Sequence, residues 1–382
     1  MRISPTLAGM ASYPFLRLTD ARRRLEADGV HVVDFGTGDP NEPTPALIRQ
    51  ALVDNVDERS SYPLASGLPE LRRAVADWCR QRFGVEVDPE GELVPTLGSK
   101  EAIFSLAQVL VDPASDKRLV VIPEPAYPVY ERGAAFAGAE VVSVPLLQEH
   151  RFLPDLDAID ADTWARVAIF WVNYPNNPTG ATAPLDLYER LAALALEHDF
   201  ALASDEAYSE LWFEAPPPSA LQVVDRRNVI VFNTLSKRSS MTGYRSGFVA
   251  AAQQVIEALR AYRPNVGTAP QEFVQRASVV AWGDEEHVEQ TRDVYRRKRE
   301  LLIPVLEAGG YRIVASEATM YLWVEMPAGE SEEEFAERLL ERGLVVSPGT
   351  FFGPSGAGYV RFALVPPIEE CERAAAILEE ML

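Results

Sequence analysis

Thr234–Ala250 reads T-L-S-K-R-S-S-M-T-G-Y-R-S-G-F-V-A, and the apolar run Asn228–Thr234 (N-V-I-V-F-N-T) leads into it. The β-branched and aromatic residues of that run predict a strand, and the polar turn after it carries Lys237 between hydroxyl-bearing neighbours. A lysine delivered to the end of a buried strand is unusual, because an unpaired ammonium is expensive to take out of water. A Schiff base between its amine and a carbonyl compound removes that charge. Ser236 adds a hydroxyl donor and Arg245 a rigid cationic fork, both suited to phosphate. A surface turn with ordinary solvated cations fits the same letters, so the rest of the chain must decide.

Working outward, Leu93–Ala252 alternates strand and helix patterns. Strands are predicted at Leu119–Ile122, Val141–Val144, Val167–Val172, Ala201–Ser204, Val229–Thr234 and Gly247–Ala251. Helices are predicted at Lys100–Val111, Val129–Ala137, Leu185–His198 and Gln253–Tyr262. This alternation implies an α/β fold with a parallel sheet covered on both faces, and ligands in such sheets sit beyond the carboxyl ends of the strands. Upstream, Pro45–Val56 and Leu68–Phe83 have helical spacing, with Leu71, Val75 and Trp78 on one face. Between them lies Ser60–Gly67, and Gly36–Pro45 (G-T-G-D-P-N-E-P-T-P) is a turn-rich loop. Leu16–Ala27 reads as a charged helix and Val32–Phe35 as a short strand. From Gly283 the pattern becomes α+β, with strands at Tyr311–Val314, Met320–Glu325, Leu344–Val346 and Val360–Val365. The charged helices Glu285–Glu307 and Glu332–Arg342 read as solvated faces without chemistry.

The 382 residues are 47% hydrophobic and 24% charged, enough for a sizeable core and more than one domain. A net charge of −21 argues against nucleic-acid binding. Cys79 and Cys371 stand alone, with no metal-ligand spacing, so no metal is expected. No basic-then-apolar leader and no long apolar run is present, which leads to the expectation of a cytoplasmic protein without membrane attachment.

Several other stretches place chemistry at predicted strand or helix ends. Gly98–Ser99–Lys100–Glu101 opens a helix; Ser99 as N-cap, with free amides and the helix dipole, makes an anion site or simply a capped helix. Asp205, after the strand Phe200–Ser204, is a carboxylate at a core edge that needs a cationic partner. Its bland alternative is a helix cap, with Tyr208 as a core tyrosine. Asn173–Gly180 (N-Y-P-N-N-P-T-G) is turn chemistry on any reading. Arg361, in Y-V-R-F-A-L, sits in an alternating apolar strand, where a guanidinium wants a bidentate anion or a structural ion pair.

Lys237 eight residues before Arg245, together with G-S-K, N-P-T-G, D-E-A-Y and Arg361 in that chain order, resembles the class I/II aminotransferases, which are pyridoxal 5'-phosphate (PLP) enzymes of fold type I. The resemblance spans essentially the whole chain. It implies a large domain with a mostly parallel seven-stranded sheet covered by helices, over 46–282. A smaller α+β domain would be formed by both termini, 1–45 and 283–382. It implies Lys237 as the cofactor lysine, Asp205 on the pyridine nitrogen, Tyr208 and Asn177 on the phenolic oxygen, and Tyr127 stacked on the ring. Ser99, Lys100, Thr234, Ser236 and Arg245 would hold the phosphate, with Asn173 and Asn176 structural. Arg361 would clamp the substrate α-carboxylate beside Gly38 and Asn177. Tyr62 would reach the phosphate of a neighbouring subunit, which implies a homodimer with shared sites.

The wording S-K-R-S-S-M-T-G-Y-R-S-G-F-V-A, Y-P-L-A-S-G-L-P-E-L-R, F-L-P-D-L-D and A-W-G-D-E-E-H-V is similar to succinyldiaminopimelate transaminases of lysine biosynthesis. That similarity implies exchange of an amino group between N-succinyl-LL-2,6-diaminopimelate and 2-oxoglutarate. Ser240 departs from the asparagine usual there, and Ala252 from an aspartate. LL-diaminopimelate and aspartate aminotransferases are alternatives within the class; a PLP-dependent β-lyase or a non-catalytic ligand-sensing domain would be alternatives outside it.

Overall fold

The computed structural model describes residues 1–10, 15–59 and 61–382; Ser60 of the predicted 60–67 loop lies outside them. Seven strands form the main sheet: β1 (Leu93–Thr96), β2 (Leu119–Glu124), β3 (Glu140–Pro145), β4 (Val167–Asn173), β5 (Ala201–Asp205), β6 (Val229–Thr234) and β7 (Gly247–Ala251). Their order is β1-β7-β6-β5-β4-β2-β3. Every pairing is parallel except the two made by β7, which runs antiparallel between β1 and β6. The mostly parallel α/β sheet expected from the sequence is therefore present, with β1 as a strand the alternation did not single out.

Period-2 alternation sorts the strand residues onto two faces. Phe170, Val172 and Val231 join one cluster with Trp78, Leu191 and Trp282. Ile169, Trp171, Ile230 and Phe232 join the other with Ile103, Leu106, Val129 and Ile256. Both faces are covered, which is why the strands read as continuous apolar runs.

A second sheet contains β8 (Arg312–Val314), β9 (Tyr321–Glu325), β10 (Ser347–Pro348) and β11 (Tyr359–Ala363), in the antiparallel order β10-β11-β9-β8. Val33–Asp34 pairs in parallel with Leu344–Val345, so the N-terminal segment packs with the C-terminal one.

Four helical elements bear on the site: α1 (Ser99–Leu110), the short turn α2 (Leu235–Arg238), α3 (Glu272–Gly283) and α4 (Glu286–Ala308). The sequence pattern did not mark α3, whose buried Ala277, Ala281 and Trp282 pack under the main sheet. The reading of Glu285–Glu307 as a solvated face is corrected by α4. It buries Val288, Tyr295, Leu302 and Leu306, and Lys298 has no exposed side chain. Lys298 escapes the penalty of an unpaired buried ammonium by meeting Glu42 Oε1 at 2.7 Å and the Leu364 carbonyl at 3.1 Å. The other charged helix, Glu332–Glu341, likewise turns Phe335 and Leu339 inward.

Candidate active site

Strand register assembles the site. Asn173 and Asp205 are Cα partners at the carboxyl ends of β4 and β5, and Thr234 ends β6 beside them. Because β7 is antiparallel, its first residue Gly247 pairs with both Thr234 and Thr96. Arg245, two residues earlier, thereby reaches the same edge as α1, which follows β1. A cavity of about 450 Å³ opens there. Of the residues singled out from the sequence, Gly38, Ser99, Lys100, Tyr127, Asn177, Asp205, Tyr208, Thr234, Ser236, Lys237, Arg245 and Arg361 all line it. Tyr62 does not, and its side chain is fully exposed.

The anion end combines α1 and the turn around Arg245. Gly98, not Ser99, occupies the N-cap position, which corrects the expectation; Ser99 is the first helical residue, and no side chain caps the helix. Glycine is needed at 98 twice over. Its φ is +69°, and a Cβ would stand 2.5 Å from Arg245 Nη2. Arg245 is fixed by the Thr242 carbonyl at 2.8 Å and the Leu97 carbonyl at 3.0 Å. Thr234 Oγ1 donates to the Ser246 carbonyl, and Ser236 Oγ lies 2.9 Å from Thr234 Oγ1. Lys100 Nζ lies 5.7 Å from the centre of the Tyr127 ring, and burial with the Arg245 and Arg132 charges lowers its pKa.

At the centre, burial pushes the Lys237 amine down to about 8; Arg361 and Arg245 add to this, while Asp39 opposes it. Its Nζ donates to the Gly38 carbonyl. Gly38 admits no side chain, since a Cβ would come within 2.4 Å of the Tyr321 hydroxyl.

Opposite, Asp205 is 4% exposed. It accepts from the Tyr130 hydroxyl at 2.8 Å and the Ala207 amide at 3.3 Å, and no cation among the described residues pairs with it. Burial therefore lifts its carboxyl to about 6. Tyr208 meets the Tyr321 hydroxyl at 2.7 Å. Asn173, expected to be structural, also lines the cavity while donating to the Asp205 carbonyl at 2.8 Å. Arg361, on β11, reaches in from the second sheet and is 2% exposed.

Tyr130, Tyr321, Phe352, Thr37 and Asp39 were not singled out in the sequence. Tyr130 stands in E-P-A-Y-P-V-Y beside Tyr127, so its signal was local, while Tyr321 lay within the predicted strand Met320–Glu325 and Phe352 carried no signal. The donor set fits PLP. Lys237 matches the carbonyl, the α1 terminus with Ser99, Ser236 and Arg245 matches a phosphate, and the buried Asp205, with no cationic partner among the described residues, matches a protonated ring nitrogen.

The model for aminotransferase class I and II matches residues 30–378, and the chain belongs to that family. It is a PLP-dependent transaminase of fold type I. It is 40% identical to the LL-diaminopimelate aminotransferase of Aquifex aeolicus (strain VF5), over 99% of this chain and 98% of that one. Among solved structures it is similar to a probable N-succinyldiaminopimelate aminotransferase from Thermus thermophilus, with 32% identity and a TM-score of 0.89 over 96% of this chain and 100% of that one. The Thermus thermophilus aspartate aminotransferase with maleate has 33% identity and a TM-score of 0.90, with 100% of both chains covered. No helix among the described residues is long and apolar enough to cross a membrane.

Proposed function

We propose that this transaminase exchanges an amino group between LL-2,6-diaminopimelate and 2-oxoglutarate in lysine and diaminopimelate biosynthesis. The observation that carries this reading is the full-length relationship to LL-diaminopimelate aminotransferases. It favours the free diamino diacid over the succinylated one implied by the local wording. Asp39 supports the same choice. It lines the cavity with an exposed carboxylate whose charge also acts on Lys237. A second substrate ammonium would find an acceptor there, whereas a succinylated nitrogen carries no charge to offer it.

In this reading Lys237 holds the cofactor through Nζ, and Ser99, Lys100, Thr234, Ser236 and Arg245 take its phosphate. Tyr127 covers its ring, while Asn177 and Tyr208 lie toward its phenolic oxygen. The bound cofactor supplies an electron sink for the electrons released at the substrate Cα. Asp205, ionised once a cation faces it, keeps the ring-nitrogen proton in place. Arg361 fixes the substrate α-carboxylate against Asn177 and Gly38, which aims the Cα–H bond at Lys237. Freed when the substrate amine takes its place on the cofactor, Lys237 Nζ, with its pKa near 8, would take and return that proton close to neutral pH. Residues 46–282 would form the cofactor domain, with 1–45 and 283–382 forming the smaller one. A homodimer belongs to the same reading, with the exposed Tyr62 reaching the phosphate site of a second copy.

The test is to load the protein with PLP, add each amino substrate alone, and follow the cofactor's visible absorbance. Loss of the band with LL-2,6-diaminopimelate, reversed by 2-oxoglutarate, is expected. A response only to N-succinyl-LL-2,6-diaminopimelate or only to aspartate would overturn the substrate. Lys237→Ala should lose both the band and turnover.

A further inference from the structure

Arg238 and Ser239, the two residues after Lys237, are both tied to the junction between α3 and α4. Arg238 is 1% exposed, and its guanidinium lies 5.1 Å from the Trp282 ring centre. It donates to the Ala281 and Asp284 carbonyls and to the Glu285 carboxylate. Ser239 is fully buried, with its Oγ 2.8 Å from His287 Nε2. His287 Nδ1 in turn lies 2.5 Å from Asp284 Oδ1, which also accepts from the His287 amide at 3.0 Å.

Serine, histidine and aspartate are thus hydrogen-bonded in a row. The Ser239 hydroxyl is sealed from solvent, so the row cannot present it to a substrate as a nucleophile. Proton positions follow from the partners. Burial alone would raise the Asp284 carboxyl, yet the His287 amide and ring hold it below its ordinary range. An ionised carboxylate only accepts, so Nδ1 carries the imidazole proton and Nε2 accepts from Ser239. Burial keeps the ring below its ordinary pKa and hence neutral.

We propose that His287 is a positioning residue for Lys237, fixing the turn that carries the lysine through the Ser239 hydroxyl. The inference rests on Lys237 being the cofactor lysine. The turn needs an external anchor because α2 is four residues long, too short to be stable by itself. Immediately beyond it, Ser240 has a left-handed φ of 49°. On its other side the Ser240 carbonyl accepts from Thr44 Oγ1 at 2.6 Å, which joins the turn to the loop whose Gly38 carbonyl receives Lys237 Nζ. The His287 row and the Gly36–Pro45 loop therefore grip the lysine turn from two sides. Release of one grip moves Nζ relative to the reacting atoms, where displacements of an ångström matter.

His287→Phe and His287→Gln separate positioning from bulk. Phenylalanine fills the space without an acceptor, while the glutamine oxygen can still accept from Ser239. Two readouts are needed: the rate of PLP uptake by cofactor-free protein across pH, and kcat and KM with LL-2,6-diaminopimelate. Misplacement predicts that His287→Phe slows uptake and lowers kcat by about 10- to 100-fold with KM little changed, and that His287→Gln recovers most of both. Equal losses in the two variants, or wild-type uptake and kcat in a folded His287→Phe protein, would overturn the proposal. If His287→Phe does not fold, Ser239→Ala replaces it with the same expected losses, and a wild-type result there is equally fatal. Lys237→Ala is run alongside. Unaltered uptake in that variant would remove the lysine assignment itself rather than the role of His287.

Discussion

Arg361 and Asn177 stand 184 residues apart and share a hydrogen bond of 2.9 Å, Nη1 to Oδ1. The other terminal nitrogen of Arg361 donates to the Gly36 carbonyl at 2.7 Å, and the Tyr321 and Phe352 rings flank the guanidinium at 4.4 and 4.5 Å. The fork is thus held flat, dry and in one orientation at the cavity wall.

A fork so held should be hard to replace. Arg361→Ala is expected to lose about 2–5 kcal/mol in kcat/KM for amino acid substrates, the cost of leaving a desolvated carboxylate unpaired. Arg361→Lys should recover only part of it, because an ammonium cannot reproduce two parallel donors. Steady-state kinetics decide; unchanged kcat/KM would make Arg361 a structural residue.

Asp39→Asn should discriminate between substrates. Loss of this exposed carboxylate is expected to raise KM for LL-2,6-diaminopimelate by up to about fivefold, the upper end for a solvent-screened charge pair, and to leave aspartate nearly untouched. The same change should move the Lys237 pKa below about 8, since Asp39 is the charge that opposes its fall. An equal effect on both substrates would locate the whole effect at Lys237.

Glu206 gives the cofactor-free protein a characteristic pH response. Its side chain is buried, Oε2 has no hydrogen-bond partner among the described residues, and burial lifts its pKa to about 7. Between the ordinary carboxyl range and that value the folded protein holds a proton that the unfolded chain has lost, so stability falls as pH rises. This contribution is fully present below about pH 4.5 and gone above about pH 7. Glu206→Gln should therefore flatten the stability profile by about 2 kcal/mol between pH 5 and 8, measured by denaturant unfolding.

The two departures from the related wording are expected to lower stability. Ser240 occupies a left-handed φ of 49°, which asparagine tolerates better than serine, so Ser240→Asn should stabilise by about 0.5–1 kcal/mol. Ala252 is the N-cap of helix Gln253–Tyr262, with extended geometry and no side-chain cap bond. Ala252→Asp should add about 1 kcal/mol. Unfolding midpoints that do not rise would refute both.

The readable parts of the site share a physical basis. Lys237 and Asp205 follow buried strands, and a charge at the end of an apolar run is conspicuous in one dimension. Arg361 was visible for the same reason, as a cation inside an alternating strand. Asp39 gave no such signal, because an acidic residue in a turn-rich loop looks like any solvated aspartate. His287 was hidden for a related reason: a lone histidine opening a charged helix has a bland solvated reading, and Ser239 names no partner 48 residues away.

By itself the sequence determined the α/β alternation, the chemistry carried past the strand ends and the family whose motifs appear in that order. These are set by local propensity and by the cost of burying charge, both of which act over a few residues. Only the tertiary structure decided that β7 runs antiparallel, bringing Arg245 to the edge occupied by Lys237 and the start of α1. It likewise decided that Tyr130 caps Asp205, that Lys298 is buried against Glu42, and that a serine, a histidine and an aspartate align behind the lysine turn. Those contacts depend on strand order and helix packing, which are fixed by complementary surfaces distant in the chain and leave no pattern at short range.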